Sequence, residues 1–154
     1  RFNGCVSLRH AMTMTPRVTF ILGCTGSGKG SLGRELARRA GGEIISVDSM
    51  KIYRRMDIGT AKTSEQARRE IPHHLIDVAE PSEEFSVAQY VARAERAIKD
   101  ICGRGKPIFA VGGTALYIKS LSEGLFEGPS ANPEIRKRLR READEAGGAF
   151  CTTS

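Results

Sequence analysis

The sequence predicts an α/β fold: an open, mostly parallel sheet with flanking helices. Short β-branched apolar runs alternate with segments of helical period, in the order strand–helix–strand–strand–helix–strand–helix. A glycine-rich loop joins the first strand to the first helix. Three polar loops, Gly23–Lys29, Asp48–Tyr53 and Gly112–Thr114, fall at carboxyl ends of strands, where folds of this class collect their functional groups.

Val18–Leu22 is short, β-branched and apolar and is bounded by Gly23, which reads as a buried strand. Ser31–Ala40 carries Leu32, Leu36 and Ala40 at i, i+4 and i+8, predicting a helix with that apolar stripe, ended by Gly41-Gly42. Glu43–Val47, with Ile44, Ile45 and Val47, reads as a second strand, and Asp48 stands at its carboxyl end. Asp57–Lys62 is a polar loop around Gly59, and His74–Val78 reads as a short strand after Pro72. Ser86–Cys102 is the clearest helix. Val87, Tyr90, Val91, Ala94, Ile98 and Ile101 keep a 3.6-residue period, Ser86 and Gln89 form a capping-box pattern, and Gly103 closes it. Pro107–Val111 reads as another buried strand leading into Gly112-Gly113, and Thr114–Ser122 as a helix. Composition shifts at Gly128-Pro129-Ser130, after which Pro133–Ala146 reads as a charged helix bearing Arg136, Lys137, Arg138, Arg140 and Arg141.

These elements divide the 154 residues into an extension over 1–16, expected to be disordered, an α/β core over 17–128, and a charged helical segment over 129–154. No internal repeat is present. Apolar residues make up 40% of the chain, enough for a core, yet no apolar run approaches the roughly 18 residues that span a bilayer. A transmembrane protein is therefore not expected. The 17 glycines keep no triplet period, which excludes a collagen-like chain. Net charge is +6 and spread along the chain, which permits a polyanionic partner without requiring one. Cys5, Cys24, Cys102 and Cys151 form no Cys-x-x-Cys pair, so they read as scattered thiols of a reducing compartment.

Gly23-Cys24-Thr25-Gly26-Ser27-Gly28-Lys29 matches Gly-x-x-x-x-Gly-Lys between a strand and a helix. Its glycines let backbone N–H groups turn inward around an anion, the helix directs its positive end at the same point, and Lys29 adds a full charge. A di- or triphosphate is the natural guest, and the fold expected is P-loop NTPase-like. The next position ordinarily carries Ser or Thr, whose hydroxyl binds Mg²⁺. Here it is Gly30, and Ser31 lies about 100° further round the helix. Thr25 and Ser27 supply hydroxyls within the loop.

Asp48 is placed to accept a proton or hold Mg²⁺, or to serve as a turn aspartate. Gly112-Gly113-Thr114-Ala115-Leu116-Tyr117 brings a hydroxyl to the same edge, or simply makes a tight turn and helix cap. His73 and His74 lack cysteine or acidic partners at ligand spacing and read as structural or surface groups. The Arg136–Arg141 cluster is a solvated helix face or a nucleic-acid contact.

Several runs occur together: the glycine loop, Asp48-Ser49-Met50-Lys51-Ile52-Tyr53-Arg54, Met56-Asp57-Ile58-Gly59-Thr60-Ala61-Lys62, Pro72-His73-His74-Leu75-Ile76-Asp77, Phe85-Ser86-Val87-Ala88 and Gly112–Tyr117. From about Arg17 to about Ala146 the chain resembles the tRNA dimethylallyltransferases, also called tRNA isopentenyltransferases. That resemblance implies transfer of a dimethylallyl group from dimethylallyl diphosphate to N6 of the adenosine adjacent to the anticodon. It implies that Gly23, Cys24, Thr25, Gly26, Ser27, Gly28, Lys29 and Gly30 hold the diphosphate, with Thr25 and Lys29 acting on it and Mg²⁺ as cofactor. Asp48 corresponds to the general base. Asp48, Ser49, Met50, Lys51, Thr114 and Arg136 correspond to tRNA contacts, Lys51 standing where Gln is common. The family also implies a cytoplasmic, monomeric enzyme, and residues 129–154 then read as the start of a helical tRNA-binding insertion in a truncated chain. Two alternatives are an ATP-dependent small-molecule kinase and a non-catalytic remnant.

Overall fold

The computed structural model describes residues 17–124 and 132–145. The expected extension 1–16, the Gly128-Pro129-Ser130 junction, Ala146 and the tail 147–154, with Cys5 and Cys151, lie outside the described residues.

Among the described residues four strands form one sheet: β1 (Val18–Leu22), β2 (Glu43–Val47), β3 (His73–His74) and β4 (Ile108–Gly112), in the order β1-β4-β2-β3, every neighbouring pair parallel. Five helices among the described residues join or follow them: α1 (Lys29–Ala40), α2 (Glu65–Glu70), α3 (Val87–Gly103), α4 (Ala115–Glu123) and α5 (Pro133–Glu145). Because β4 pairs with both β1 and β2, its register levels three carboxyl ends: Leu22 and Val47 both pair with Gly112.

Side chains alternate across the sheet with period two. Ile45, Val47, Ile108 and Ala110 face Tyr90, Val91, Ala94 and Ile101 of α3 and Tyr117 of α4. On the other face Ile21, Ile44 and Phe109 meet Ala37 of α1 and Ile71. All five residues of β2 are buried, as a central strand covered on both faces requires. The capping box at Ser86 forms as expected: Gln89 N–H donates to Ser86 Oγ at 3.2 Å and Ser86 N–H to Gln89 Oε1 at 2.9 Å.

Several expectations need correction. Helix α1 does not bury Leu32, Leu36 and Ala40, which are exposed; it buries Gly33 and Ala37. A Cβ on Gly33 would lie 2.6 Å from Val111 Cγ2, so the helix backbone lies close against β4 and its larger side chains turn outward. The strand expected over His74–Val78 is only His73–His74, because Leu75 (φ 63°) and Asp77 (φ 57°) leave the extended region. Gly103 remains helical and Gly105 takes the left-handed turn after α3. Helix α2, unforeseen, is capped by Ser64, whose hydroxyl accepts Ala67 N–H at 3.3 Å. Among the described residues no helix is long and apolar enough to cross a membrane.

Candidate functional site

The site is assembled where β1, β2 and β4 end together. Gly112 and Gly113 make that convergence possible. A Cβ on Gly112 would fall 2.0 Å from the Val47 carbonyl oxygen, and one on Gly113 would fall 2.8 Å from that of Gly23. The chain leaving β4 therefore passes directly between the loops that follow β1 and β2. Gly113 N–H and Thr114 N–H both donate to the Val47 carbonyl, at 3.1 and 3.2 Å. The Thr114 hydroxyl then accepts Ser49 N–H at 3.0 Å and donates to Ser49 Oγ at 3.4 Å. Gly23 and the Asp48-Ser49 turn are thus held on opposite sides of one dipeptide.

The glycine loop has the shape of an anion cradle. Gly26 (φ 83°) and Gly28 (φ 79°) take left-handed turns open to glycine, and α1 starts at Lys29 with no side-chain cap and no acidic residue in its first turn. The helix's positive end is therefore not neutralised by its own first turn. Lys29 Nζ donates to the Cys24 carbonyl at 2.9 Å, which folds the ammonium over the loop. Arg34, one turn on, donates to Ser31 Oγ at 3.2 Å. Among the described residues neither cation has a carboxylate partner. Thr25, Ser27 and the Cys24 thiol are exposed.

Asp48 is a turn aspartate and a presented carboxylate at once. Its Oδ1 accepts Met50 N–H at 2.9 Å and Lys51 N–H at 3.4 Å, while Oδ2 lies 4.0 Å from Lys51 Nζ. Lys51 is largely buried; with Gly30, Ser46, His73 and Val111 it lines a cavity of about 20 Å³, room for about one water. Burial pushes the Lys51 ammonium below its ordinary pKa; Asp48 opposes that, and the charges of Lys29 and Arg34 add to it. Burial likewise lowers His73, whose Nδ1 lies 2.6 Å from the Ile71 carbonyl and so carries its proton there. His74 bonds to Glu43. Met50 is exposed, and Arg136 stands on α5, every described residue of which is exposed. No hydrogen bond or ion pair among the described residues ties Arg136 to the loop cluster.

Sequence reasoning missed the groups that hold this edge from below. Tyr90 of α3 is fully buried, donates its hydroxyl to the Ser46 carbonyl at 2.9 Å, and stacks on Tyr117 at 3.8 Å. Lys62, 3% exposed, reaches Asp57 at 2.7 Å, Asp77 at 2.8 Å and the Tyr53 carbonyl at 2.8 Å; Arg68 also meets Asp77 at 2.6 Å. Burial lowers the Lys62 pKa, but the hydrogen bonds to the two carboxylates outweigh it and leave the ammonium above its usual range. The adjoining cavity of about 430 Å³, lined by Arg54, Arg55, Lys62 and Arg68 among others, has each of these cations already paired with a carboxylate. The one sequence signal for this network was the charged pair bounding Asp57–Lys62.

The chain's own side chains fit a divalent ion poorly. Gly30 offers no hydroxyl, although a Cβ there would meet nothing closer than Arg34 Nη1 at 3.6 Å, so packing does not demand the glycine. Asp48 Oδ1 already serves two amides, and among the described residues no three His, Cys, Asp or Glu side chains cluster as a metal site.

The model of the family described as IPP transferase matches residues 51–153. The tRNA dimethylallyltransferase of Koribacter versatilis is 47% identical over 135 residues, covering 88% of this chain and 44% of that protein. The tRNA dimethylallyltransferase of Myxococcus xanthus is 49% identical over 132 residues, covering 86% and 42%. Among solved structures, the full-length tRNA isopentenylpyrophosphate transferase of Bacillus halodurans superposes with a TM-score of 0.71 at 40% identity, over 85% of this chain and 44% of that one. A eukaryotic dimethylallyltransferase acting on tRNA superposes with a TM-score of 0.70 at 33% identity, over 81% and 32%. The chain thus spans less than half the length of the curated relatives it matches.

Proposed function

The chain belongs to the IPP transferase family, and from that premise we propose that it transfers a dimethylallyl group from dimethylallyl diphosphate to N6 of the adenosine adjacent to the anticodon in tRNA. The observation that carries the reading is the level ending of β1, β2 and β4, which puts Gly23 and Asp48-Ser49 on either side of Gly113-Thr114.

In this reading the N–H groups of Gly23–Gly30, with Lys29 and the Thr25 hydroxyl, bind the diphosphate. They stabilise the charge that grows on it as the allylic C–O bond breaks. The adenine N6 attacks the allylic carbon, and Asp48 takes the proton that N6 loses as the N–C bond forms. The products are the alkylated adenosine and pyrophosphate. A stacked base cannot reach the site, so the adenosine leaves the anticodon-loop stack, with Ser49, Met50, Lys51 and Thr114 beside it. Arg136 contacts tRNA backbone from α5. Among the described residues no cluster of His, Cys, Asp or Glu would hold Mg²⁺, so such an ion would have to come with the diphosphate, where it would add charge stabilisation. We place the protein in the cytoplasm as a monomer, with its free thiols Cys24 and Cys102 reduced.

The test mixes the chain with tRNA and labelled dimethylallyl diphosphate. Label is expected in tRNA; phosphotransfer from ATP without it would overturn the reading in favour of a kinase. A second reading is binding without turnover. It predicts bound pyrophosphate and no labelled tRNA.

A further inference from the structure

Two features of the site belong together. The first is Gly30, where a loop of this type ordinarily carries the hydroxyl that holds Mg²⁺. The second is Lys51, whose side chain lines the same small cavity as Gly30 and approaches Asp48 Oδ2 at 4.0 Å. Lys51 is an expensive residue to place here. It is largely withdrawn from water and lies within the field of Lys29 and Arg34. The one carboxylate beside it is too far for a short ion pair. Among the described residues the cluster holds three cations, Lys29, Arg34 and Lys51, against Asp48 alone. Lys51 is the largely buried member of that excess, and an anion seated between the three would offset the cost of burying its charge. The open positive end of α1 points the same way.

We propose that the Lys51 ammonium supplies, beside Gly30, the positive charge that a hydroxyl-held Mg²⁺ supplies in other loops of this kind, so that this chain binds a diphosphate without a divalent ion. The proposal rests on the diphosphate site of the reading above, not on the transfer reaction. Lys51, beside the adenosine in that reading, then also acts on the leaving group. Asp48 holds Lys51 in place, since its Oδ1 accepts the Met50 and Lys51 amides and its Oδ2 lies 4.0 Å from Lys51 Nζ.

The test is titration calorimetry of the whole chain with inorganic pyrophosphate, in excess EDTA and in saturating MgCl₂. The affinity in EDTA is expected within about threefold of that in MgCl₂. Lys51→Met is expected to weaken EDTA binding at least about tenfold, and Lys51→Arg to retain most of it. Adding Gly30→Thr to Lys51→Met is expected to restore affinity only when Mg²⁺ is present. Binding that appears only with MgCl₂, or unchanged EDTA affinity in a folded Lys51→Met, overturns the proposal and leaves the transferase reading standing. No binding in either buffer overturns both. Metal-free binding with no label transfer to tRNA supports the proposal and overturns the transferase reading. The wild-type comparison needs no variant, so a misfolded mutant does not decide the matter.

Discussion

The Ser49 amide donates to the Thr114 hydroxyl at 3.0 Å, joining residues 65 positions apart in the chain. This bond fixes the Asp48 turn relative to the exit of β4, and through Gly113 to the glycine loop. Thr114→Val keeps the shape and removes the acceptor, leaving a half-buried amide unsatisfied. The free energy of urea unfolding is expected to fall by about 1 kcal/mol. Transfer to tRNA is expected to fall more than pyrophosphate affinity, because the cradle itself keeps its geometry.

Asp48→Asn separates the two duties of that side chain. Asn keeps an oxygen for the Met50 and Lys51 amides, now at 2.9 and 3.4 Å, but cannot take a proton from N6. The turnover number is expected to drop by roughly 10²–10⁴ with unfolding free energy changed by less than about 0.5 kcal/mol. Asp48→Ala loses the turn as well and is expected to be measurably less stable. Transfer by Asp48→Asn at the wild-type rate would remove Asp48 from the chemistry.

What the sequence disclosed, and what it withheld, follows one physical division. Local signals were legible: the period of Val87–Ile101, the Ser86–Gln89 box, and the glycine loop between β1 and α1. The fold class and the three strand-end loops followed from them. Contacts made at long range were not. Leu32 and Leu36 have the spacing of a buried stripe, yet Gly33 and Ala37 face the sheet, because only a small residue fits against Val111. The short extent of β3 was hidden because left-handed turns at Leu75 and Asp77 carry no glycine signal. Lys51 corresponded to a tRNA contact by resemblance, and nothing local marks that its ammonium shares a cavity with Gly30.

Tyr90 links the core to the site. Its buried hydroxyl donates to the carbonyl of Ser46, two residues before Asp48, and burial raises its pKa so that it stays a donor at any ordinary pH. Tyr90→Phe keeps the stacking on Tyr117 but leaves that carbonyl without its donor. A loss of about 1–2 kcal/mol in unfolding free energy is expected. Tyr90→Leu, which also removes the ring pair at 3.8 Å, is expected to cost more. Equal stabilities of Tyr90→Phe and the wild type would show that the hydroxyl bond contributes nothing net.

Glu43 opens β2 at the opposite end of the sheet, its side chain 3% exposed. It meets His74 at 2.7 Å, Arg104 at 2.7 Å and Lys106 at 3.0 Å. Burial raises its pKa, but the hydrogen bonds from His74, Lys106 and Arg104 outweigh that and hold it at about 2. The folded value is thus depressed below the ordinary 4.5, so the carboxylate stabilises the fold fully above about pH 4.5, and that stabilisation is lost as pH falls toward 2. The amount at stake is on the order of 3 kcal/mol. Asp77 is also depressed and has the same sign, so the wild-type curve alone does not isolate Glu43. Glu43→Gln does. It leaves three cationic or hydrogen-bonding partners around a neutral amide and is expected to cost about 3–5 kcal/mol at pH 7. The gap from wild type is expected to narrow steadily as urea unfolding is repeated from pH 4.5 down to 2. A gap that stays constant over that range would mean that the Glu43 charge does not stabilise the fold and that the variant's deficit comes from packing.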